Sequence, residues 1–137
     1  MTILQVSNVS GGYTRKPVIK DLSFTIEKGE LVGLIGLNGA GKSTTIKHII
    51  GTLIQREGEI RLNGVTLKEN MDAYRSSFSY IPETPVLYDE LTLKEHLALT
   101  AMAYGIDEKT LAERSEKLLK EFRMEKRLNW FPSHFSK

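Results

Sequence analysis

Apolar and polar residues alternate along the first part of the chain, which is typical of β-strands with one buried face. The pattern predicts a strand over Ile3 to Val9 and a second strand region made of Val18-Ile19 and Leu22 to Ile26. The run from Leu31 to Ile35 does not alternate but is apolar throughout. Because a strand of that kind is buried on both faces, the run predicts a central strand of a parallel sheet.

Two further β-segments follow. Asn63-Gly64 separates the runs Glu59 to Leu62 and Val65 to Leu67, and Asn-Gly between such runs predicts a hairpin. Phe78 to Ile81 predicts a short strand that ends at Pro82, because proline cannot donate a hydrogen bond to a β-ladder.

Helical patterns lie between and after these segments. An apolar face predicts a helix over Lys42 to Ile50, and a short helix is predicted over Glu69 to Ser76. Thr92 begins the next helix, in which Glu95 completes a capping box, and Asp107 begins the last one. The order of elements predicts an α/β fold in which strands and a hairpin accompany one strand–helix unit and two helices follow.

The junction between the apolar run and the first helix has the spacing G-x-x-x-x-G-K-S. The motif consists of Gly36, Leu37, Asn38, Gly39, Ala40, Gly41, Lys42 and Ser43. Its glycines allow the backbone to curl until N–H groups point at phosphate oxygens, at the positive end of the helix dipole. The lysine of such a loop reaches the β- and γ-phosphates, and the serine hydroxyl binds Mg²⁺. Between a strand and a helix, this motif predicts a P-loop that binds a nucleoside triphosphate.

Composition narrows the possible functions. The 137 residues suffice for one domain with a core, and 40% hydrophobic and 26% charged residues are typical of a globular protein. A net charge of +2 is too small to indicate nucleic acid or an anionic membrane as a partner. The absence of cysteine excludes disulfides and suits a reducing cytosol. We find no apolar run long enough to cross a bilayer and no signal peptide, so any membrane role is expected to depend on a partner.

The run from Val18 to Gly64 closely resembles the ATP-binding subunits of ABC transporters. It contains a strand, a K-G-E turn, G-x-N-G-A-G-K-S-T and G-x-I-x-L-x-G in the order of that family. The resemblance continues through Tyr80 to Glu83 and Leu91 to Leu97, and it covers nearly the whole chain. Within the family, GGYTRKPV, IPETPVLYDELTL and FPSHFSK look most like the Ecs-type transporter ATPases of Gram-positive bacteria.

The resemblance implies that residues on two segments together bind ATP. Tyr13 stands where the family places an aromatic residue that stacks on adenine, and Val18 would line the other side of the base. From the residues alone, Tyr13 could equally pack as a turn anchor beside Gly11-Gly12. Gly36 to Thr44 would bind the phosphates of ATP, and the Ser43 hydroxyl would bind Mg²⁺.

The resemblance also implies roles for residues that follow Pro82. Glu83 falls where the family usually has a glutamine that binds Mg²⁺ and the attacking water, and a glutamate also offers oxygen to a hard cation. The alternative is a solvent-facing turn residue. The loop Thr84 to Leu91 resembles the surface that meets a membrane subunit, although its apolar members could also be core: Val86, Leu87 and Tyr88.

We expect an incomplete P-loop NTPase fold of the ABC ATPase type over residues 1–137. An antiparallel β subdomain with the P-loop core would span 1–91, a helical subdomain 92–128 and the start of the signature region 129–137, where Phe135-Ser136-Lys137 resembles the first signature positions. The Walker B acidic residues and the switch histidine do not follow, so we expect a fragment with no catalytic residue of its own. Its uncovered apolar faces predict self-association, strand exchange or low stability.

Three functions are compatible with these features. The first is the ATP-binding subunit of an ABC transporter, cytoplasmic and peripheral at the cell membrane, which pairs face to face with a second ATPase subunit. It would couple the binding and hydrolysis of Mg-ATP to an integral membrane subunit. The second is a soluble ABC-type ATPase that acts on ribosomes or DNA, and the third is a nucleotide-binding module that never hydrolyses. The spacings of the histidines match no metal site, so we expect His48 and His96 to be packing or surface residues.

Overall fold

The computed structural model of the chain describes residues 1–135. It divides into two compact units, Met1–Ile81 and a second unit that begins at Pro82. The elements of the first unit are β1 (Thr2–Gly11), β2 (Ile19–Glu27), α1 (Lys42–Ile49), β3 (Glu57–Leu62), β4 (Val65–Thr66) and α2 (Met71–Ser76). The second unit contains α3 (Leu93–Ala103), α4 (Glu108–Glu121) and two 3-10 turns, Glu125–Arg127 and Pro132–His134.

The four strands form one antiparallel sheet in the order β2-β1-β3-β4. β1 is central because its apolar residues pair on both sides: Val6 lies opposite Phe24 of β2 and Ile60 of β3. Asn63-Gly64 forms the turn between β3 and β4. The predictions of β1 and β2 from alternation and of the hairpin from Asn-Gly are confirmed.

The core of the first unit lies on one face of this sheet. It consists of the buried residues Leu4, Val6, Val9, Ile19, Ile60, Leu62 and Tyr74. Tyr74 joins α2 to the P-loop helix, because its hydroxyl donates a hydrogen bond of 2.6 Å to the Ile49 carbonyl at the end of α1. The apolar face of β1 thus supports the helix that follows the P-loop.

The helices of the second unit begin where their capping residues predict. The Thr92 hydroxyl accepts from the Glu95 N–H, and the Glu95 carboxylate accepts from the Thr92 N–H, which completes the predicted capping box. The Asp107 carboxylate accepts from the Thr110 N–H at 2.9 Å and begins α4. Ala101 and Leu119 are the buried residues of α3 and α4. Along residues 1–135, no helix has the length and apolar character needed to cross a membrane.

Two predicted strands are wrong in this structure. Leu31 to Ile35 and Phe78 to Ile81 form neither strand nor helix. Leu31 and Ile35 are 99% and 96% exposed, where a central strand would bury them. A strand needs hydrogen-bonding neighbours for its backbone, and within residues 1–135 no segment pairs with either run. The apolar pattern indicates only that these residues favour burial. It does not supply a neighbouring strand, and none pairs with them in the described part of the chain.

Candidate functional site

The loop from Gly36 to Gly41 depends on its glycines in two different ways. Gly39 and Gly41 have φ values of 83° and 95°, in the left-handed region that side-chain-bearing residues rarely adopt. Gly36 serves a close approach instead, because a Cβ there would lie 3.1 Å from the Cβ of Ala40. The Ala40 N–H donates to the Leu37 carbonyl at 3.1 Å and closes the turn between them.

The start of α1 has backbone donors that no side chain occupies. Gly41 is the N-cap residue and has no side chain to accept from the first N–H groups, and the first turn contains no acidic residue. The buried Thr45 hydroxyl donates to the Gly41 carbonyl at 2.9 Å and so leaves these N–H groups free. These free N–H groups and the helix dipole together favour an anion at this end of α1.

The Lys42 side chain folds back over the loop. Its ammonium donates to the Gly36 carbonyl at 2.5 Å and to the Leu37 carbonyl at 2.9 Å. A cation is therefore present where phosphate oxygens would meet the loop amides. Ser43 is exposed next to it, so its hydroxyl is open to a hard cation such as Mg²⁺, whereas Thr44 is buried.

The loop between β1 and β2 lies against the same helix. Tyr13 is 57% exposed, and the Nζ of Lys47 lies 5.1 Å from the centroid of its ring. The nearby Lys47 ammonium is the main cause that lowers the pKa of the Tyr13 phenol. The Val18 N–H donates to the Gly11 carbonyl at 2.8 Å, and a Cβ on Gly41 would lie 3.5 Å from a Val18 methyl.

The structure thus places Tyr13 and Val18 beside the helix that begins at the P-loop. Their proposed contacts with a base stay predictions, as do the phosphate contacts of Gly36, Leu37, Asn38, Gly39, Ala40, Gly41, Lys42, Ser43 and Thr44. Lys47 is the residue that motif reasoning did not single out. In the sequence, Lys47 stands out only as a basic residue in the last turn of α1. Its contact with Tyr13 depends on how the loop between β1 and β2 packs against α1.

Glu83 follows all of these residues along the chain, just after the start of the second unit. It is exposed, has no regular secondary structure and belongs to the second unit, so its role as a Mg²⁺ ligand stays a prediction. Val86, Leu87 and Tyr88 are 89%, 53% and 60% exposed. His96 has a packing role, because its Nε2 accepts from the Tyr88 N–H and its Nδ1 lies 2.9 Å from the Thr92 carbonyl. In residues 1–135, no group of three or more His, Cys, Asp or Glu side chains is arranged to bind a metal ion.

Comparison with known proteins decides the family. Residues 19–137 match the protein family described as ABC transporter. The chain belongs to the ABC transporter family. It is 64% identical over all 137 residues to the ABC-type transporter ATP-binding protein EcsA of Bacillus subtilis (strain 168), and this match covers 56% of EcsA. It is also 36% identical over 130 residues to the SkfA peptide export ATP-binding protein SkfE of the same strain, a match that covers 94% of this chain and 53% of SkfE.

Solved structures agree with this assignment to the ABC transporter family. A structure described as the ATP binding subunit of an ABC transporter superposes with a TM-score of 0.91 at 58% identity, over 98% of this chain and 56% of that one. A nucleotide-free ATP-binding cassette superposes with a TM-score of 0.76 at 25% identity, over 99% of this chain and 60% of that one. The predicted family and fold class are confirmed. The chain spans about half the length of the curated relatives it matches.

Proposed function

We propose that this chain binds Mg-ATP at the P-loop as the ATP-binding subunit of a membrane transporter. The observation that carries the proposal is the start of α1, where unoccupied N–H groups meet the Lys42 ammonium over the loop. A triphosphate satisfies both at once, because its oxygens accept from the amides and replace the two carbonyls that now accept from Lys42.

Each side chain of the site has one task in this proposal. Lys42 leaves the carbonyls of Gly36 and Leu37 and donates to the β- and γ-phosphates. The exposed Ser43 hydroxyl would hold Mg²⁺, which would neutralise phosphate charge. The exposed Glu83 carboxylate would be a second Mg²⁺ ligand. The exposed ring of Tyr13 stacks on adenine, and Val18 borders the base.

The transport function depends on partners. Two subunits close face to face over ATP, the closure drives an integral membrane subunit, and hydrolysis resets the pair. The names of the relatives, an ABC-type transporter ATP-binding protein and a peptide export ATP-binding protein, support a role in transport. In this proposal the subunit acts at the cytoplasmic face of the membrane. Co-purification from cells with a membrane protein is the expected result, and co-purification with ribosomes alone would contradict it.

Titration calorimetry with Mg-ATP tests the binding site. We expect Lys42→Ala to weaken binding by about ten- to a hundredfold, because it removes charge-assisted hydrogen bonds to phosphate. Lys28→Ala is the control, since Lys28 is an exposed lysine in the turn after β2. Equal affinity of Lys42→Ala and the wild type would overturn the proposed site.

The two proposed metal ligands are tested separately. Affinity for ATP is measured with Mg²⁺ and with excess EDTA for Ser43→Ala and Glu83→Ala. If a residue binds Mg²⁺, its alanine variant should gain less affinity for ATP on addition of Mg²⁺ than the wild type gains. If Glu83→Ala gains as much affinity for ATP from Mg²⁺ as the wild type does, Glu83 is excluded as a Mg²⁺ ligand and Ser43 is the one that remains.

We propose further that residues 1–137 by themselves bind ATP but hydrolyse it negligibly. Phosphoryl transfer needs acidic groups that position Mg²⁺ and water, and the family's Walker B residues are not among the residues assigned to this site. A phosphate-release assay on the purified chain is the test. Robust turnover that is lost in Lys42→Ala would contradict the proposal.

A further inference from the structure

The contact between Lys47 and Tyr13 joins two segments that are far apart in the sequence. The ammonium of Lys47 lies 5.1 Å from the centroid of the Tyr13 ring. The ring is 57% exposed, so a large part of its surface is open to a ligand even with the ammonium in place.

The backbone of Lys47 is fixed independently of its side chain. Its carbonyl accepts from the N–H groups of Thr52 and Leu53 at 3.0 and 3.1 Å, which closes the end of α1. The ammonium therefore extends from a rigid position toward a tyrosine on a loop. A substitution of the side chain leaves those backbone hydrogen bonds intact.

We propose that Lys47 is a positioning residue for the base of the nucleotide, because it holds the Tyr13 ring with one face free for stacking. The proposal rests on the proposed function of the P-loop. It adds a residue that neither the P-loop motif nor the adenine-stacking position contains.

An exposed aromatic ring that must stack on a base loses rotational freedom when the ligand binds. A cation held against the ring in the free protein reduces that loss, since the ring is already ordered. Cation–π contacts at exposed sites are worth an amount that corresponds to about a two- to fivefold change in affinity. The neighbouring Tyr13 phenol raises the pKa of Lys47, so the side chain stays protonated at neutral pH.

Direct binding of phosphate by Lys47 is the competing explanation. Lys47 lies five positions after Lys42 in α1, about 7.5 Å further along the helix axis from the end that attracts anions. The geometry therefore favours an effect on the base over an effect on the phosphates. The two explanations differ in whether the substitution matters for a ligand that has phosphates but no base.

Titration calorimetry of the full chain with Mg-ATP and with magnesium tripolyphosphate separates them. We expect Lys47→Met to weaken ATP binding about two- to fivefold and to leave tripolyphosphate binding unchanged. Lys47→Arg should keep the wild-type affinity for ATP, because a guanidinium also stacks on aromatic rings. Lys28→Met is the control lysine and should change neither ligand.

A double-mutant cycle supplies a readout that a merely structural role would not change. In a Tyr13→Ala background, Lys47→Met should have no further effect on ATP binding. Equal losses for ATP and tripolyphosphate, full additivity with Tyr13→Ala, or no effect of Lys47→Met would each overturn the proposal. If Lys47→Met alters the circular dichroism spectrum, Lys47→Gln replaces it in the same cycle.

Failure of the proposed function gives a different result. A wild-type chain that binds neither ATP nor tripolyphosphate, or Lys42→Ala without effect on either ligand, would overturn the nucleotide site itself. If the wild type binds both ligands but Lys47→Met does not weaken ATP binding more than tripolyphosphate binding, only the positioning role is overturned.

Discussion

The imidazole of His48 is 2% exposed on α1, directly against Gly11 of β1. Its Nδ1 lies 2.8 Å from the Leu53 carbonyl, which can only accept, so Nδ1 carries the proton. Its Nε2 is then an acceptor and has no hydrogen-bond partner in residues 1–135. The packing role expected for this histidine agrees with its burial, and desolvation lowers its pKa.

This burial predicts a loss of stability in mild acid. The unfolded chain binds a proton on His48 near pH 6.5, whereas the folded chain binds it only at lower pH. Stability is therefore complete above about pH 6.5 and falls as the pH decreases toward the folded pKa, by at most about 1.4 kcal/mol per pH unit. Urea unfolding at several pH values measures the slope.

The control for this prediction is a second histidine. In His48→Gln the slope between about pH 6.5 and 5 should be smaller than in the wild type, while the exposed His134→Gln should keep it. The acidic groups with lowered pKa values, Glu27, Glu69, Glu95 and Asp107, titrate at lower pH and do not confound this window. An unchanged slope in His48→Gln would contradict the assignment.

Residue-scale chemistry could be predicted wherever it follows from local spacing. The P-loop motif predicted that glycines let the backbone curl, and Gly39 and Gly41 have left-handed φ values in this loop. The contact of Lys42 with phosphates stays a prediction. The contact of Lys47 with Tyr13 could not be predicted, because it depends on the docking of a loop onto a helix, and the two residues lie 34 positions apart in the sequence.

At the scale of elements, the pairing of β1 with β3 contains an irregularity. The register shifts between Ser7 and Ser10, where Asn8 has a φ of 49°. Gly58 of β3 faces this point with a φ of 78°, and a Cβ on it would lie 2.3 Å from the carbonyl oxygens of Asn8 and Ser7. The bulge therefore requires glycine for both its conformation and its space.

We expect Gly58→Ala to destabilise the first unit more than Gly64→Ala does. Both positions have positive φ, 78° and 81°, so both substitutions cost roughly 1–2 kcal/mol of backbone strain. A Cβ on Gly64 meets nothing within 4 Å, whereas one on Gly58 meets two backbone oxygens that the β-ladder holds in place. Thermal unfolding measures the difference, and equal midpoints for the two variants would contradict the prediction.

The elements that could be predicted from the sequence are those whose signal is local. Alternation, an Asn-Gly turn and a capping box predicted β1, β2, the hairpin and α3, because each signal lies within a short stretch. The pairing of β1 with the distant β3 did not follow from these signals. Leu31 to Ile35 carries an equally strong apolar signal, yet it is not a strand. Its pairing partners must come from distant segments, and no pattern within the run contains that information.

At the scale of the whole molecule, the segment Leu31 to Leu37 exposes several apolar side chains next to the P-loop. Its exposed residues are Leu31, Val32, Leu34, Ile35 and Leu37. Burial of each such side chain contributes about 1.5–3 kcal/mol, so this segment favours association through its unpaired backbone and apolar side chains. This is the physical basis for the self-association that the sequence predicts.

Sedimentation over a range of concentrations tests this prediction. The wild-type chain should associate, and Leu31→Glu combined with Ile35→Glu should lower the association. Met102→Glu is the control, because Met102 is 78% exposed on α3 of the second unit and should leave association unchanged. A wild-type chain that stays monomeric at all concentrations would count against the role of this segment.

The ammonium of Lys42, which rests on the Gly36 and Leu37 carbonyls, has a consequence for ligand choice. A ligand must offer enough negative oxygen atoms to compensate for both hydrogen bonds when the lysine moves. Inorganic phosphate or a nucleoside monophosphate presents one phosphoryl group, whereas a triphosphate presents three at the same helix end. The loop therefore selects ligands by their number of phosphates, independently of the base. A ligand with one phosphate competes poorly with the Gly36 and Leu37 carbonyls for the Lys42 ammonium.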